Sequence, residues 1–591
     1  MRYIFAECVL DTQLYTLHRA GVAVRLRPKV FHVLHYLLEH GDHVVSKDEL
    51  CTHVWLGQFI SDATIEGCIT LARQAIGDRG RAHRLIESRR GYGYRFVGAV
   101  TVCPDPAPSS VPVLDAPETS VAVHSLAVLP FTSLSAEDSD AYLGLGMAET
   151  VITKLSAIQQ LIIRPTSAVR QYSSSQQDPL AAGREQRVDA VLDGSLQRVG
   201  ERLRVTARLL HVPDGSVLWA WQQDAQRDRD LFAVQDAIAD AVTHALRLQL
   251  SGAERAWLAK RHTESTEAYQ AYTKGRYFWN HRTEEGLKHA IAYFQQAIEA
   301  DLTYALAYSG LADAYTTLGY GSYLAPEETF PHAKQAAVHA LERDASLAEP
   351  HTSLAYVKLY YEWDWAGAER AFQHAIALNP NYATAHHWYS VYLTAMERPD
   401  EARREIQRAH ELDPLSLIIN TDMGFALYYR RQYDQAITHL RTTLEMNRQF
   451  PLAHLWLGRA YQQQGKYAEA LAAFHEASTV LGEWPVTIAA MGYVYGVSGH
   501  RAKAYHVLEQ LCQLAEHRYV TSYGMALVYA GLGEHDHAFA WLRKAFEERT
   551  HWLVWLKLDP RWDGLCADPR FVDLQRRVGL LPSAAVGAVC P

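Results

Sequence analysis

The spacing of apolar residues changes along the chain and divides it into three regions. In residues 1–100, strand-like alternation through YIFAECVL and GVAVRLR predicts strands. A helix follows from about Lys29 to His40, with Phe31, Leu34, Leu37 and Leu38 on one face. SKDELCTHVW opens a second helix, because Ser46 and Glu49 have the capping-box spacing that satisfies two backbone donors at a helix start. In SDATIEGCITLARQAIGD, Ile65, Ile69, Ala72 and Ile76 fall on a single helical stripe, and Gly77 ends it. LIESRRGYGYRFVG then reads as a strand, a glycine-rich turn and a return strand, the aromatics at 92, 94 and 96 alternating onto one face that pins the hairpin to the body.

Residues 101–120 are rich in Pro, Ser and Asp and predict a semi-extended linker. From 121 to 252, SLAVLPF and QLIIRP are buried-strand runs, DAYLGLGMAETVITKLSAI and LFAVQDAIADAVTHALRLQL are amphipathic helices, and AVLDGSLQRVG, RLRVTARLLHV and SVLWAWQQDA form a three-strand meander. The expectation is a small α/β domain with a mixed sheet.

From about 266 the chain repeats. Ala402, Ala436, Ala470, Ala504 and Ala538 recur every 34 residues, as do Ile406, Leu440, Phe474, Leu508 and Leu542. Gly424, Gly458, Gly492 and Ala526 keep the same step, with Tyr461, Tyr495 and Tyr529 three later. Small residues let neighbouring helices approach and large ones fill the groove between them. The pattern is similar to tetratricopeptide arrays and predicts about eight repeats over 266–552. GYGSYLAPEETFP reads as an insertion inside an early repeat, and 553–591 as a terminal cap and tail. The fold class expected is therefore multidomain, α+β followed by all-α.

Charge sharpens the reading of the first region. The whole chain of 591 residues carries −9, yet residues 73–95 hold seven arginines against Asp78 and Glu87, a local +5. Seven scattered cysteines without a CxxC pair point to reduced thiols, with neither a zinc site nor a disulfide framework. The N-terminus is too polar for a signal peptide, and VAVHSLAVLPF is far shorter than the ~20 residues that span a bilayer, so a cytoplasmic protein without membrane contact is expected. No triad order, HExxH or phosphate loop follows Gly144 and Gly146, so no catalytic residue, metal or cofactor is assigned. His386 and His387 read as packing or solvent-facing residues, and the acidic residues of EWDWAGAER as turn-solvating ones.

The four blocks LRPKVFHVLHYLLEH, VVSKDELCTHVW, SDATIEGCITLARQAIGD and LIESRRGYGYRFVG resemble, in that order, the winged-helix DNA-binding domain of the OmpR/PhoB family. Residues 125–250 resemble a TolB-like domain more loosely. The first resemblance implies double-stranded DNA as partner and a recognition helix over about 62–76. Thr64, Thr70, Arg73 and Gln74 would face DNA, with Arg73 suited to guanine and Gln74 to adenine. Ser88, Arg89, Arg90 and Tyr92 would form the wing contact, Ser88 near phosphate and Arg90 in the minor groove, the arginines staying free. It also implies RNA polymerase contact through the 55–62 loop and adjacent copies, a homodimer, on repeated half-sites. The repeats imply a protein, peptide or small ligand in their groove.

Departures matter. Thr70 and Leu71 stand where many relatives have basic residues, and Glu66 is acidic, so the recognition helix is poor in cations. The chain opens directly on the winged helix, leaving no room for a phosphoacceptor domain ahead of it. The reading is a transcriptional regulator, against two rivals: a repeat scaffold whose head has lost specific DNA binding, and a nucleotide-signalling accessory.

Overall fold

The computed structural model describes residues 2–12, 16–24, 26–55, 62–78, 84–89, 92–103, 123–133, 141–172, 178–199, 202–226, 231–280 and 282–581. It divides into two compact units, Met1–Val121 and Ala122–Pro591.

The first unit holds strands β1 (Arg2–Phe5), β2 (Cys8–Asp11), β3 (Thr16–Arg19) and β4 (Val22–Val24), helices α1 (Pro28–Glu39), α2 (Lys47–Val54) and α3 (Asp62–Ile76), then β5 (Ile86–Arg89), β6 (Gly93–Phe96) and β7 (Val100–Cys103). The first four strands form an antiparallel meander that β7 extends by pairing with β1. Residues 101–103, expected as linker, are thus sheet, because the β-branched Val and Thr complete an open edge. The rest of that linker lies outside the described residues. Phe31, Leu34, Leu37 and Leu38 are buried as their periodicity requires, and Phe5 meets Phe96 edge-on with centroids 5.1 Å apart. Ser46 and Glu49 form the capping box.

The second unit begins with β8 (Ser125–Val128), β9 (Thr132–Ser133), α4 (Ala141–Ser156), β10 (Ile162–Ile163), α5 (Thr166–Val169), α6 (Pro179–Glu185), β11 (Ala190–Val199), β12 (Arg202–His211), β13 (Val217–Gln226), α7 (Leu231–Ala245) and α8 (Gly252–Leu258). The sheet order is β10-β8-β11-β12-β13, parallel on the first side and antiparallel through the meander, with β9 beside β11. Gly146 is not part of a phosphate loop. A Cβ there would lie 2.2 Å from Thr273, so glycine is what lets α4 reach the first repeat helix.

Eight helix pairs follow among the described residues. They are α9–α10 (Thr266–Trp279, Glu284–Ala300), α11–α12 (Ala305–Tyr320, Pro326–Arg343), α13–α14 (Ala348–Val357, Trp365–Leu378) and α15–α16 (Ala383–Ala395, Pro399–Leu412), then α17–α18 (Leu417–Tyr429, Tyr433–Met446), α19–α20 (Pro451–Gln463, Tyr467–Leu481), α21–α22 (Pro485–Val497, Arg501–Leu514) and α23–α24 (Ser522–Gly531, His535–Glu547). GYGSYLAPEETFP spans the end of α11, the α11–α12 turn and the first turns of α12, and the extra length of this repeat is taken up in longer helices rather than in a loop. In EWDWAGAER, Asp364 does not merely solvate a turn but caps α14 by accepting from the Gly367 N–H. His386 and His387 are buried and face Glu405 and Asp422.

The terminal segment, which ends in α25 (Pro569–Val578), packs on the last helix pair, with Arg570 and Arg577 over the Phe539 and Phe546 rings and Trp562 donating to Tyr523, and it does more than cap. It runs back across the array interior: His551 lies against Tyr320 and Tyr360, Trp555 stacks on Tyr429 at 4.6 Å, and Trp365 donates to the Val578 carbonyl. Early and late repeats also meet directly, through Arg518–Glu284 (2.9 Å) and Trp484 donating to the Gly321 carbonyl (3.1 Å). Its aromatic density (Trp552, Trp555, Trp562) is the reason, since such side chains belong in an apolar interior. Cys8, Cys51, Cys68 and Cys512 carry free thiols. Among the described residues no helix is long and apolar enough to cross a membrane.

Candidate nucleic-acid interface

Helix α3 is amphipathic. Ile65, Ile69, Ala72, Ala75 and Ile76 are buried, and this turns Thr64, Glu66, Gly67, Thr70, Leu71 and Gln74 outward. Thr70 returns its hydroxyl to the Glu66 carbonyl (2.8 Å), and Glu66 is paired with Lys47 of α2 (3.1 Å). The outward face is therefore polar and short of free charge.

Arg73 lies between helix and wing. Its Nη2 donates to the Ile86 carbonyl (2.7 Å) and to Ser88 Oγ (2.8 Å), and its Nε donates to the same carbonyl (3.2 Å). Half-buried, it has its pKa lowered by desolvation, with Asp78 and Tyr94 pulling the other way. Its fork thus fastens β5 to α3. Arg95 is committed likewise, its Nε donating to the Gly41 carbonyl (3.1 Å). The expectation that the wing arginines stay free fails at Arg95, and Arg73, expected to meet guanine, is instead bonded to the hairpin in this structure. Arg89 is exposed and pairs with Glu87 at 3.1 Å, and Ser88 is exposed apart from its bond to Arg73. Arg90 and most of the 55–62 loop lie outside the described residues.

Tyr92 corrects a second expectation. Tyr94 and Phe96 are buried and anchor the hairpin, but Tyr92 is 79% exposed. The strand begins only at Gly93, so the alternation does not extend back to 92. Gly93 has φ +140°, and a Cβ on it would lie 2.0 Å from the Val45 carbonyl oxygen. Val45 and Tyr94 exchange backbone hydrogen bonds there (2.8 and 2.9 Å), which fixes the wing to the segment before α2.

Three positioning residues carried no signal of their role in the sequence. Asp78, counted there only as a charge, is buried and accepts from the N–H groups of Arg84, Leu85 and Ile86 (2.8, 3.2 and 3.0 Å), setting the start of β5. Arg19 donates to the Gln74 and Ala75 carbonyls, placing a cation at the negative end of α3. Lys47 neutralises Glu66 from another helix.

Residues 21–96 match the family model "Transcriptional regulatory protein, C terminal", and residues 421–479 match "Tetratricopeptide repeat". The middle domain, for which a TolB-like relationship was expected, matches "HilA/YgeH-like transcriptional regulator, second domain" over residues 122–241. The transcriptional regulator HilA of Salmonella typhimurium is 23% identical over 441 residues, covering 74% of this chain and 75% of that protein. A putative adenylate cyclase 3 of Rhizobium meliloti is 32% identical over 152 residues, 26% of each chain. The phosphate regulon transcriptional regulatory protein PhoB of Escherichia coli is 32% identical over 74 residues, 12% of this chain and 32% of that protein. Fold and matches together define a DNA-binding transcriptional regulator with an OmpR/PhoB-type domain and a tetratricopeptide array. In particular it is HilA-like, the likeness extending through the middle domain.

Proposed function

We propose that this regulator reads promoter DNA with the outward face of α3 and the tip of the β5–β6 hairpin acting as one surface. The observation that carries the reading is the Arg73–Ser88 bond, which holds wing and helix in fixed register. Thr64, Thr70 and Gln74 then face base edges, with Gln74 as the residue suited to adenine. Ser88, Arg89, Arg90 and Tyr92 meet phosphate and minor groove, while Arg73 orients the wing and brings a diffuse positive charge near the duplex. The few cations on α3 leave most of the electrostatic attraction to the wing and to the arginines around residue 80.

The terminal segment fills the array interior, so we place protein partners on the outer faces of the helix pairs rather than in a peptide groove. RNA polymerase contact through residues 55–62, binding as adjacent copies, a cytoplasmic location and the lack of a catalytic role belong to the same proposal.

The test is selection of bound sites from a random duplex pool by the full chain. Gln74→Ala should relax preference at one base position. Arg90→Ala should weaken binding at all sequences alike and reduce the salt slope by about one. Failure to enrich any sequence, with equal binding to heparin, would overturn the reading and favour an adaptor without specific DNA binding.

A further inference from the structure

Where the terminal segment crosses the array, the interior is polar in an unusual way. Arg459 on α19 is only 2% exposed, and its guanidinium lies between two indoles, 4.4 Å from the Trp456 ring and 4.7 Å from the Trp552 ring. Neither its Nε nor its Nη1 has a hydrogen-bond partner. Around it lie further buried polar atoms in the same condition: the hydroxyls of Tyr428, Tyr429 and Tyr360, Nη1 of Arg561 and Nε2 of His551. Gln462, one helical turn from Arg459, leaves both amide atoms unpaired. Buried polar atoms are ordinarily satisfied, so such a cluster calls for an occupant.

The charges narrow its nature. Asp559 is the nearest carboxylate whose field reaches Arg459, and it already takes Nε and Nη2 of Arg561, a pair that is itself fully buried. Burial alone would raise the Asp559 pKa, but Arg561 and then Arg459 hold it below the usual carboxylate range. Asp422, across the interior near Tyr320, Tyr356 and Tyr360, is engaged by His387 at 2.7 Å. His551 is pushed down to about 3 by burial and by Arg459, and so stays neutral. With Asp559 held by Arg561 and Asp422 by His387, Arg459 has no carboxylate bonded to it among the described residues, in a place that water hardly reaches. An isolated buried charge costs several kcal/mol unless it is paired. The unpaired groups are mostly donors: guanidinium N–H and tyrosine O–H. Donors converging on an unpaired, buried guanidinium match a ligand that only accepts hydrogen bonds and carries negative charge.

We propose that the array interior is a binding site for one small anion, a halide or a small carboxylate, held by Arg459 with Tyr428 and Tyr429 and shielded by Trp456 and Trp552. The anion neutralises the interior and locks the terminal segment onto the repeats, so its occupancy sets the stability of the array.

The experiment measures the melting temperature of the full chain in a low-salt zwitterionic buffer, titrated separately with sodium chloride, acetate and phosphate. The wild type should show a saturable rise with chloride or acetate and only the shallow, unsaturated response with phosphate. A response to chloride alone identifies a halide site, and one to acetate a carboxylate site. Arg459→Met removes the charge and keeps much of the bulk. Without anion it should melt no lower than the wild type, and it should lose the saturable rise. Tyr428→Phe, which removes a single donor, should raise the half-saturating concentration several-fold, and it serves if Arg459→Met fails to fold. Parallel responses in wild type and Tyr428→Phe, or no saturable response to any anion, would overturn the proposal and leave water as the occupant.

Discussion

Two arginines show how differently the two units of this molecule treat the same side chain. Arg73, in the DNA-binding head, is half-buried and has two of its nitrogens on the hairpin it orients. Arg459, in the array, is buried between rings with two nitrogens on nothing. In the head, backbone carbonyls are at hand because β5 begins beside α3. In the array, the surrounding carbonyls are already used by helices, so a cation there finds only aromatic faces and a carboxylate that another arginine holds. A guanidinium becomes a clamp where loose backbone surrounds it, and a ligand-seeking charge where regular helices do.

The sharpest break of this comparison is Asp559→Asn. It leaves Arg561 without its buried counter-charge, and breaking a buried pair this way costs about 3–5 kcal/mol. Urea unfolding of the full chain should show the loss in the transition of the second unit. A cost near zero would mean that the interior charge is compensated elsewhere. Next is Gly93→Val. Its Cβ would meet the Val45 carbonyl in a backbone region that L-residues avoid, a strain of order 1–3 kcal/mol. DNA affinity should fall at least ~10-fold by this loss of wing register, since ~1.4 kcal/mol is tenfold. Wild-type affinity would show that the wing is not held here.

Arg73→Lys sharpens the contrast further. An ammonium cannot fork between Ile86 and Ser88. If Arg73 positions the wing, affinity should drop several-fold at every duplex alike; a base contact would instead relax preference at one position. The acid limb of stability tests the array. His551 has a folded pKa of about 3, below its ordinary 6.5, so the unfolded chain binds its proton first as pH falls. The stabilisation is complete above pH 6.5 and declines toward pH 3. His551→Asn should flatten the melting-temperature decline between about pH 6.5 and 5, a window above the ordinary carboxylate titrations in which Asp413, raised by burial to about 6, titrates with the opposite sign in both proteins. The smallest effect is expected for Thr70→Ala, whose exposed hydroxyl bonds only its own helix: under ~0.5 kcal/mol in stability, with DNA affinity changing a few-fold.

Much of this was legible beforehand, and the parts that were not share a cause. The stripe Ile65–Ile69–Ala72–Ile76, the capping box at Ser46 and the 34-residue step of the repeats are local rules, and the chain obeys them. The misreadings fall where a distant segment intervenes. Tyr92 looked like a wing anchor until the contact with Val45 fixed the strand start at Gly93. Arg95 reads as free, and Arg73 as a base contact, because their carbonyl partners at Gly41 and Ile86 lie 54 and 13 residues away. The segment holding Trp552, Trp555 and Trp562 looked like an end piece because periodicity cannot say that Trp365 and Tyr429 await it. The candidate DNA face was thus located to the helix and hairpin, but the division of its residues between contact and support was not.

The salt bridge between Arg518 and Glu284 has one more implication. Linear repeat proteins melt piecemeal, because each unit knows only its neighbours. Here a residue of the first pair grips one beyond the seventh, and a returning strip of tryptophans stitches the middle to both. Heat should therefore not peel this array from its ends; it should let go all at once.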